Sequence, residues 1–600
     1  MPAHMRVPAE AQQSPLPAEP RRELTLRAVL TAMAVAALIG ASYPYVVLKI
    51  GYGPNISVVS AFFGYLALGV IGLATGARGT RWENNLVQTA GTAAGQAGFM
   101  CTLLAAFDML NAKPELGFSV HLSTLQIFSW LTVAGLLGVL LAVPLRRHYI
   151  DEENLPFADG TAAGETMLVL DLDRREAAHR VRALGLGLLL SALVAVVRDL
   201  HWKLKLAGDR VLQLLPLIPG EVGFGAHGAA LRMGSEVSLL SFGSGLLVGL
   251  RVTLSMGLGM IVAWVLAPPL LVGAGVVPEQ TFAAVLRWVM WPATGLMVSG
   301  GLTALALKWK VVLRSFQGLS RKQLAGAPEE FPMRLVVWGA LGLSVALAVV
   351  QKISLGFPFW LTAVSLLLSL PLMLVGTRVL GETNWAPISA LANLMQAVFA
   401  AIVPGHIPVN MIGSGMSGTV AANGEHLMQD YRAGQIVGAN YRHLTIVQLL
   451  AVPVGSLAVA VAYPALRARY GVGGDGLSSP ISVKWAGFAE LLAKGFSTLP
   501  KGCLTALAVA LALGVVLTVL EADPRRHRYL PSPTAVGLGM LIPGYAVLPM
   551  VLGGLVQALW RRFSPKGEES YCTPLASGFI AGEALVVLLL SILAMAGVAL

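Results

Sequence analysis

The chain is 600 residues long, 56% hydrophobic and only 12% charged, with a mean hydropathy of +0.72. Soluble domains carry about 25% charged residues, so this balance argues against a soluble fold and for an all-α polytopic membrane protein. The formal charge of +11 sits in short basic clusters between apolar segments, which excludes an extended nucleic-acid-binding face and fits the loops on the inner side of a bilayer.

Residues 1–22 are polar and Pro-rich, with no apolar core ahead of a cleavage site, so a flexible cytoplasmic tail precedes a first span that serves as its own insertion signal. A crossing needs about 20 apolar residues. Segments of that kind lie near 26–49, 55–76, 84–107, 125–144, 183–200, 252–275, 281–307, 334–350, 357–379, 385–404, 406–428, 443–463, 503–520, 533–558 and 576–600, with 236–250 and 484–498 shorter or more polar. Between 144 and 183, the stretch from Leu155-Pro156-Phe157 to Glu165 is too polar to cross; it is read either as a re-entrant segment or as an interfacial loop helix.

Basic clusters at Arg21/Arg22/Arg27, Arg78/Arg81, Arg146/Arg147, Arg174 to Arg182, Lys308 to Lys322, Arg525/Arg526/Arg528 and Arg561/Arg562/Lys566 belong inside, so even numbers of crossings separate them. The first intervals comply if 236–250 crosses. The interval from Lys322 to Arg525 offers seven segments, so 484–498, with Lys484, Glu490 and Lys494, is expected to stay in the interface or re-enter. The result is one transmembrane domain over 23–600, in approximate halves 23–325 and 326–600, with about 16 helices (range 14–17) in a bundle with re-entrant or broken segments. It is expected to be multi-pass in the inner or plasma membrane of the cell, with a cytoplasmic N-terminus. A weak internal echo, Gly53-Pro54-Asn55-Ile56-Ser57 against Trp385-Ala386-Pro387-Ile388-Ser389, suggests duplication, and corresponding segments of two halves point to a transporter's central site.

Amides and carboxylates set at membrane depth are functional candidates by default. On the helix opened by Glu83, residues Asn84, Gln88, Thr92 and Gln96 recur every four positions as a stripe, beside Asn85 and a Gly91/Gly95 small-residue face. The stripe reads as a pathway lining able to donate to and accept from a polar cargo, or as structural glue between helices. It is expected to face the interior and share a cavity with the 381–396 segment, which supplies Asn384, Asn393 and Gln396; Asn55 completes the substrate-binding set. Glu83, Glu165, Glu382, Glu425 and Asp430 are the proton-coupling candidates, because an acid that alternates between dry and wet surroundings can load and release a proton. The competing reading pairs Glu425 permanently with Arg251 or Arg287. His406, after Pro404-Gly405, reads as a helix cap.

Cys101, Cys503 and Cys572 are too far apart for a metal or disulfide pattern, and no two histidines are spaced for a shared metal. No Lys follows a Gly, so no phosphate-cradling P-loop is present. Neither a cofactor nor a metal is called for. Gly415-Met416-Ser417-Gly418, near His406 and His426, looks like the nucleophile turn of rhomboid intramembrane proteases.

The blocks Gly53-Pro54-Asn55-Ile56-Ser57, Glu83 to Ala90, Leu155-Pro156-Phe157 to Glu165, Gly381-Glu382-Thr383-Asn384 through Pro387, and Met428 to Gly434 resemble the oligopeptide transporter family, which includes the yellow-stripe-like transporters of metal chelates. The resemblance implies about sixteen helices in a weakly duplicated bundle and cation-coupled, usually proton-coupled, uptake. The Asn-Pro-Gly and Lys-Glu-His signatures of the peptide-carrying fungal and plant branch are absent, which favours the bacterial and yellow-stripe-like side. Asn384 and Ala386 also stand where the yellow-stripe-like pattern usually has an Asp and an Asn.

The function expected is proton-coupled symport of a small polar solute, such as an oligopeptide, an amino-acid derivative or a metal chelate. Its partners are that solute, protons and the lipid bilayer, with a homodimer among the assemblies allowed and no nucleic acid. A gated channel or facilitator is the alternative, and an intramembrane serine protease a third reading. The topology makes the first prediction: single cysteines in the Arg174 to Arg182 and Lys308 to Lys322 loops are labelled only from the side that carries the N-terminus. Labelling of either loop from the opposite side contradicts it.

Overall fold

Long apolar runs whose backbone groups have no water to bond must satisfy them internally, and the chain does so as helices. The computed structural model describes residues 23–50, 56–77, 79–171, 178–199, 202–206, 210–214, 218–307, 330–473, 477, 479–495, 499–523, 525–526 and 529–595. The expected tail, the 325/326 boundary between halves, Asn55, Arg78, the Lys308 to Lys322 cluster and Arg174 and Arg175 of the Arg174 to Arg182 cluster lie outside the described residues.

The elements in order are α1 (Leu26–Ile50), α2 (Ile56–Thr75), α3 (Arg81–Phe99), α4 (Cys101–Asn111), α5 (Thr124–Ala142), α6 (Ala158–Asp171) and α7 (Ala178–Asp199). Two small antiparallel hairpins follow: β1 (Trp202–Leu206) with β2 (Arg210–Leu214), and β3 (Glu221–Gly223) with β4 (Gly234–Glu236) around α8 (Gly225–Ala230). Then come α9 (Leu239–Val248), α10 (Leu250–Ile261), α11 (Ala267–Gly273), α12 (Phe282–Leu307), α13 (Met333–Leu355), α14 (Phe359–Thr383), α15 (Ile388–Ile402) and α16 (Ile407–Val437). The last are α17 (Tyr441–Tyr470), α18 (Pro480–Ala493), α19 (Cys503–Glu521), α20 (Pro533–Leu541), α21 (Gly544–Phe563) and α22 (Pro565–Met595). Helix α1 packs along α3 and α17, α7 along α22, α12 along α19, and α16 lies among α3, α5, α6, α14 and α15.

Among the described residues, twelve helices are long and apolar enough to cross a membrane. The count of sixteen is not reached on that measure, for physical reasons. Helix α16 is long enough, at 31 residues, but its buried polar side chains keep it off the apolar scale. The 236–250 segment, counted above as a crossing, is β4 followed by α9, whose 10 residues reach roughly 15 Å of a ~30 Å hydrocarbon core. Helix α15, with 15 residues, also falls short, and 533–558 breaks at Ile542-Pro543 into α20 and α21. The uncertain 484–498 segment falls largely within α18, 14 residues long and likewise too short to span.

Charged contacts identify one end of the bundle. Arg27 pairs with Glu83, Arg81 with Asp171, and Arg146 and Arg147 with Glu330, while Glu23 accepts from Asn440 N and contacts His443. The opposite end carries Tyr45 against Tyr470, Asp108 with Arg467 and Lys113 with Glu490. Residues 146–171 start and finish at the first end. They run inward to Phe157, whose N–H donates to Gly381 O at 3.0 Å, and return as α6 to Asp171. The segment thus enters and leaves by the same end of the bundle, and protein covers it: α6 packs on α16, α2 and α22. Phe157 holds φ +39 while fully buried, an uncommon conformation for a bulky residue, and its ring occupies the space where a Cβ on Gly381 would stand, 2.6 Å from Cζ.

Backbones approach closely where glycine allows. A Cβ on Gly138 of α5 would lie 2.2 Å from Val420 O of α16, and one on Gly160 of α6 would lie 2.2 Å from Gln429 O. On the lipid-side helix α13, Gly342 has nothing within 4 Å of that position. Gly138→Ala is therefore expected to destabilise by about 1–3 kcal/mol through overpacking, and Gly342→Ala to be neutral or stabilising through helix propensity. Thermal unfolding in detergent checks the contrast; equal effects at the two sites would contradict it.

Candidate functional site

Helix α16 organises the site. Spanning roughly 46 Å, it buries Asn410, Ser414, Ser417, Thr419, Asn423, Glu425, Gln429, Asp430 and Arg432. So many polar groups survive at this depth because surrounding helices supply partners and exclude lipid. Glycines admit those helices: positions for a Cβ on Gly413, Gly415 and Gly424 fall 2.7 Å from the Phe399 ring, 2.3 Å from Leu103 and 2.6 Å from the Met373 sulfur. Gly418 differs. It is buried, yet nothing lies within 4 Å of its Cβ position, so open space borders the middle of the helix.

Two polar faces result. Toward α3, Gln88 Nε2 donates to Asp430 Oδ1 at 2.7 Å and to Thr92 Oγ1 at 3.1 Å, and Asn85 Nδ2 donates to Gln88 Oε1 at 2.8 Å. The second oxygen of Asp430 has no partner. The four residues of the α3 stripe are all buried, and Gln88 and Thr92 are the ones that meet Asp430 of α16. Asn84 turns instead to α2, where its Oδ1 would stand 2.2 Å from a Cβ on Gly64, and the Gly91/Gly95 face receives Ser60 and Ile56 of the same helix. Asn84 Oδ1 and Gln96 Nε2 are left unpaired.

The other face carries Ser414, Gly418, Glu425, Gln429 and Arg432, which share one side of the helix by spacing. Glu425 is 1% exposed, and its Oε2 has no hydrogen-bond partner. Its carboxyl lies in a cradle that only glycine leaves: a Cβ on Gly376 of α14 would sit 1.9 Å from Oε1. Neither arginine proposed as its partner reaches it, since Arg251 pairs with Glu521 at 2.7 Å and Arg287 Nε turns back to Ala283 O. Ionising a carboxyl in such a place without a cation is costly, and the cost falls whenever water reaches it.

Beside Glu425, the turn after α14 ties the re-entrant segment to the core. Asn384 holds φ +64, a left-handed conformation that Asn tolerates. Its Oδ1 accepts from Asp159 N at 2.9 Å and from Gln429 Nε2 at 3.4 Å, while its Nδ2 donates to Asp159 Oδ1 at 2.6 Å and Ser244 Oγ at 3.3 Å. Gln429 Oε1 accepts from Gly160 N at 2.7 Å. Two amide side chains therefore satisfy first-turn N–H groups of α6 that a helix leaves open. Glu382, two residues before Asn384, accepts from Thr534 Oγ1 at 2.5 Å in the first turn of α20. The Gly381-Glu382-Thr383-Asn384 block thus joins the N-terminal ends of two short helices.

The remaining candidates are placed elsewhere. Glu83 accepts both Nε (2.8 Å) and Nη2 (2.6 Å) of Arg27, bonds Thr25 and closes a capping box with Thr80, so it fastens α1 to α3 at the charged end. Glu165 lies 3.8 Å from Arg180. Gln396 donates to Trp485 O, and its Oε1, like Asn393 Oδ1, is unpaired. His406 occupies an N-cap position without a side-chain capping bond, and Ser417 Oγ donates to Ser365 O and Gly413 O rather than to a histidine. Among the described residues no cluster of His, Cys, Asp or Glu could hold a metal. Sequence reasoning passed over Gln448, a fully buried amide of α17 with both polar atoms unpaired, and Arg378 of α14, paired with Glu153. Each is a lone polar residue inside an apolar segment, the same signal that flagged the others.

A family profile described as OPT oligopeptide transporter protein matches residues 23–594. The chain is 23% identical over 645 residues to a probable metal-nicotianamine transporter of Oryza sativa subsp. japonica, covering 96% of the chain and 91% of that relative. A probable metal-nicotianamine transporter of Arabidopsis thaliana is 21% identical over 655 residues, covering 96% and 87%. A Saccharomyces cerevisiae protein assigned by name to the oligopeptide transporters is 22% identical over 713 residues, covering 96% of both chains. A match over nearly the whole chain closes the protease reading of Ser417: the chain belongs to the oligopeptide transporter family and is a multi-pass membrane transporter, not an enzyme.

Proposed function

We propose that the chain is a proton-coupled symporter that brings a metal chelate of the nicotianamine class, or a similar small polar solute such as a short peptide, across the inner or plasma membrane, with its N-terminus in the cytoplasm. The observation that carries this reading is Glu425: a carboxyl buried between α14 and α16 with an unpaired oxygen, no cation within reach among the described residues, and a glycine opposite it. A small displacement of α14 against α16 would admit water and change the cost of charge on Glu425, which couples its proton to the conformation. Asp430, with its own unpaired oxygen, is the second acid of the same helix. Amides of Asn85, Gln88, Asn384, Asn393, Gln396 and Gln429, with Asn84 and Thr92, offer the donors and acceptors that a chelate or peptide requires. The relatives named for metal-nicotianamine transport support the solute class.

The driving force suffices. A proton moving through 100 mV supplies roughly 2.3 kcal/mol, and each pH unit adds about 1.4 kcal/mol, a tenfold accumulation. In proteoliposomes given nickel nicotianamine or di- and tripeptides in the outer medium, the wild type is expected to concentrate at least one solute inside under an inward proton gradient. Glu425→Gln is expected to lose that accumulation, roughly tenfold per pH unit applied, while retaining solute exchange. Glu83→Gln is expected to keep the pH dependence of uptake and instead to lower thermal stability, by about 3 kcal/mol at most, because it removes the carboxylate that the Arg27 guanidinium grips through Nε and Nη2. If Glu425→Gln and Asp430→Asn both accumulate solute with unchanged pH dependence, coupling through these acids is wrong; if the wild type only equilibrates solute, the protein is a facilitator.

A further inference from the structure

Arg432 ends the polar face of α16 that holds Glu425 and Gln429, and the transport reading leaves it without a task. It is 8% exposed. Its Nη1 donates to Asn154 Oδ1 at 2.8 Å and Gln435 Oε1 at 2.6 Å, and its Nε to Thr161 Oγ1 at 3.4 Å. Thr161 is itself fixed, donating to Pro156 O at 2.6 Å, and Asn154 holds φ +47 in the backbone of the re-entrant segment. All three partners are neutral, and among the described residues no carboxylate stands within 4.0 Å of the guanidinium. Glu165, the acid that acts on Arg432 from a distance, lies one helical turn beyond Thr161 on α6, with Arg180 Nη1 3.8 Å from its Oε2. Arg180 therefore stands closer to that carboxylate than Arg432 does.

A buried cation without a counter-ion is costly unless something supplies the missing charge. Nη2 donates to no described residue, and Asn154, Thr161, Glu165, Arg180 and Gln435 around it are all only partly buried, so the group can be reached from the mouth at the charged end of the bundle. The neutral amides and hydroxyl position the guanidinium without neutralising it. We infer that Arg432 is a solute-binding residue that receives a carboxylate of the transported molecule on Nη2 at this mouth. The inference rests on the solute class given under Proposed function, since nicotianamine chelates and peptides both carry carboxylates. An arginine suits this task because it stays charged at any working pH and matches the planar carboxylate.

The test uses the purified full-length protein in detergent and follows thermal unfolding against nickel nicotianamine, trialanine, trialanine amide and inorganic phosphate, because a ligand that binds the folded state raises Tm. At least one of the two carboxylate probes is expected to raise Tm, with trialanine amide and phosphate ineffective. Arg432→Gln is expected to weaken the apparent Kd of that probe about tenfold or more, and Arg432→Lys, which keeps the charge, about threefold. In proteoliposomes the Lys variant should raise KM with little change in the maximal rate. The inference is overturned if neither carboxylate probe shifts the wild type, if trialanine amide or phosphate does so equally, or if Arg432→Gln binds like the wild type. Uptake separates the two levels: a wild type that transports none of these solutes removes the proposed function, whereas transport with an unchanged KM in the Arg432 variants removes only this role.

Discussion

Hydrocarbon offers no partner to a polar group, and the architecture follows from that single constraint. Helix α16 carries Asn410, Ser417, Asn423, Glu425, Gln429, Asp430 and Arg432 through the depth of the bundle. An unpaired amide or carboxyl turned to lipid costs several kcal/mol. Helices α3, α5, α6, α14 and α15 therefore enclose α16, and the exposed apolar faces are left to helices such as α13 and α19, which carry Trp338, Leu341, Val509 and Val516 outward.

Enclosure requires close contact, and glycine supplies it. At Gly138, Gly160 and Gly376 the neighbour is a backbone carbonyl or the Glu425 carboxyl itself, so the same residues that tighten the bundle also position its polar groups. The re-entrant segment repeats the logic on a shorter scale. Its first-turn N–H groups, which the helix itself leaves open, are met by Asn384 and Gln429, and its tip is held by Gly381 O. A helix end of this kind bears partial positive charge, so the junction of α6, α14 and α16 is polarised as well as polar. Glu382 at the first turn of α20 places a second such end against the same four-residue block.

Much of this was legible in the sequence, because polar residues inside apolar runs are conspicuous whatever the fold. The Glu83 block, the 155–165 stretch, the Gly381 to Asn384 block and the Glu425 to Asp430 block are the segments that meet at or near α16. Pairings were not legible. The four-residue period places Gln88 and Thr92 on one face of α3 without saying which helix faces them, and Asp430 proved to be the partner. Glu83 and Glu425 look alike as acids at a helix in an apolar context, yet Arg27, 56 residues away in sequence, makes one a fastening and leaves the other without a cation. The exact number of spans was not legible for a related reason: α9, α15 and α20 are apolar but short, and a hydropathy window does not register a break at Gly249 or at Ile542-Pro543.

The central claim is that the face of α16 bearing Gly418, Glu425 and Gln429 lines the route of the solute. Gly418 is the position to probe, since a Cβ placed there has no atom of a neighbouring element within 4 Å, and Cys101, Cys503 and Cys572 are all buried. In a variant with those three cysteines replaced, Gly418→Cys should react with a small membrane-impermeant thiol reagent during turnover, and a transported solute should protect it. A Gly418→Cys protein that transports normally and never reacts, with or without solute, would contradict the account.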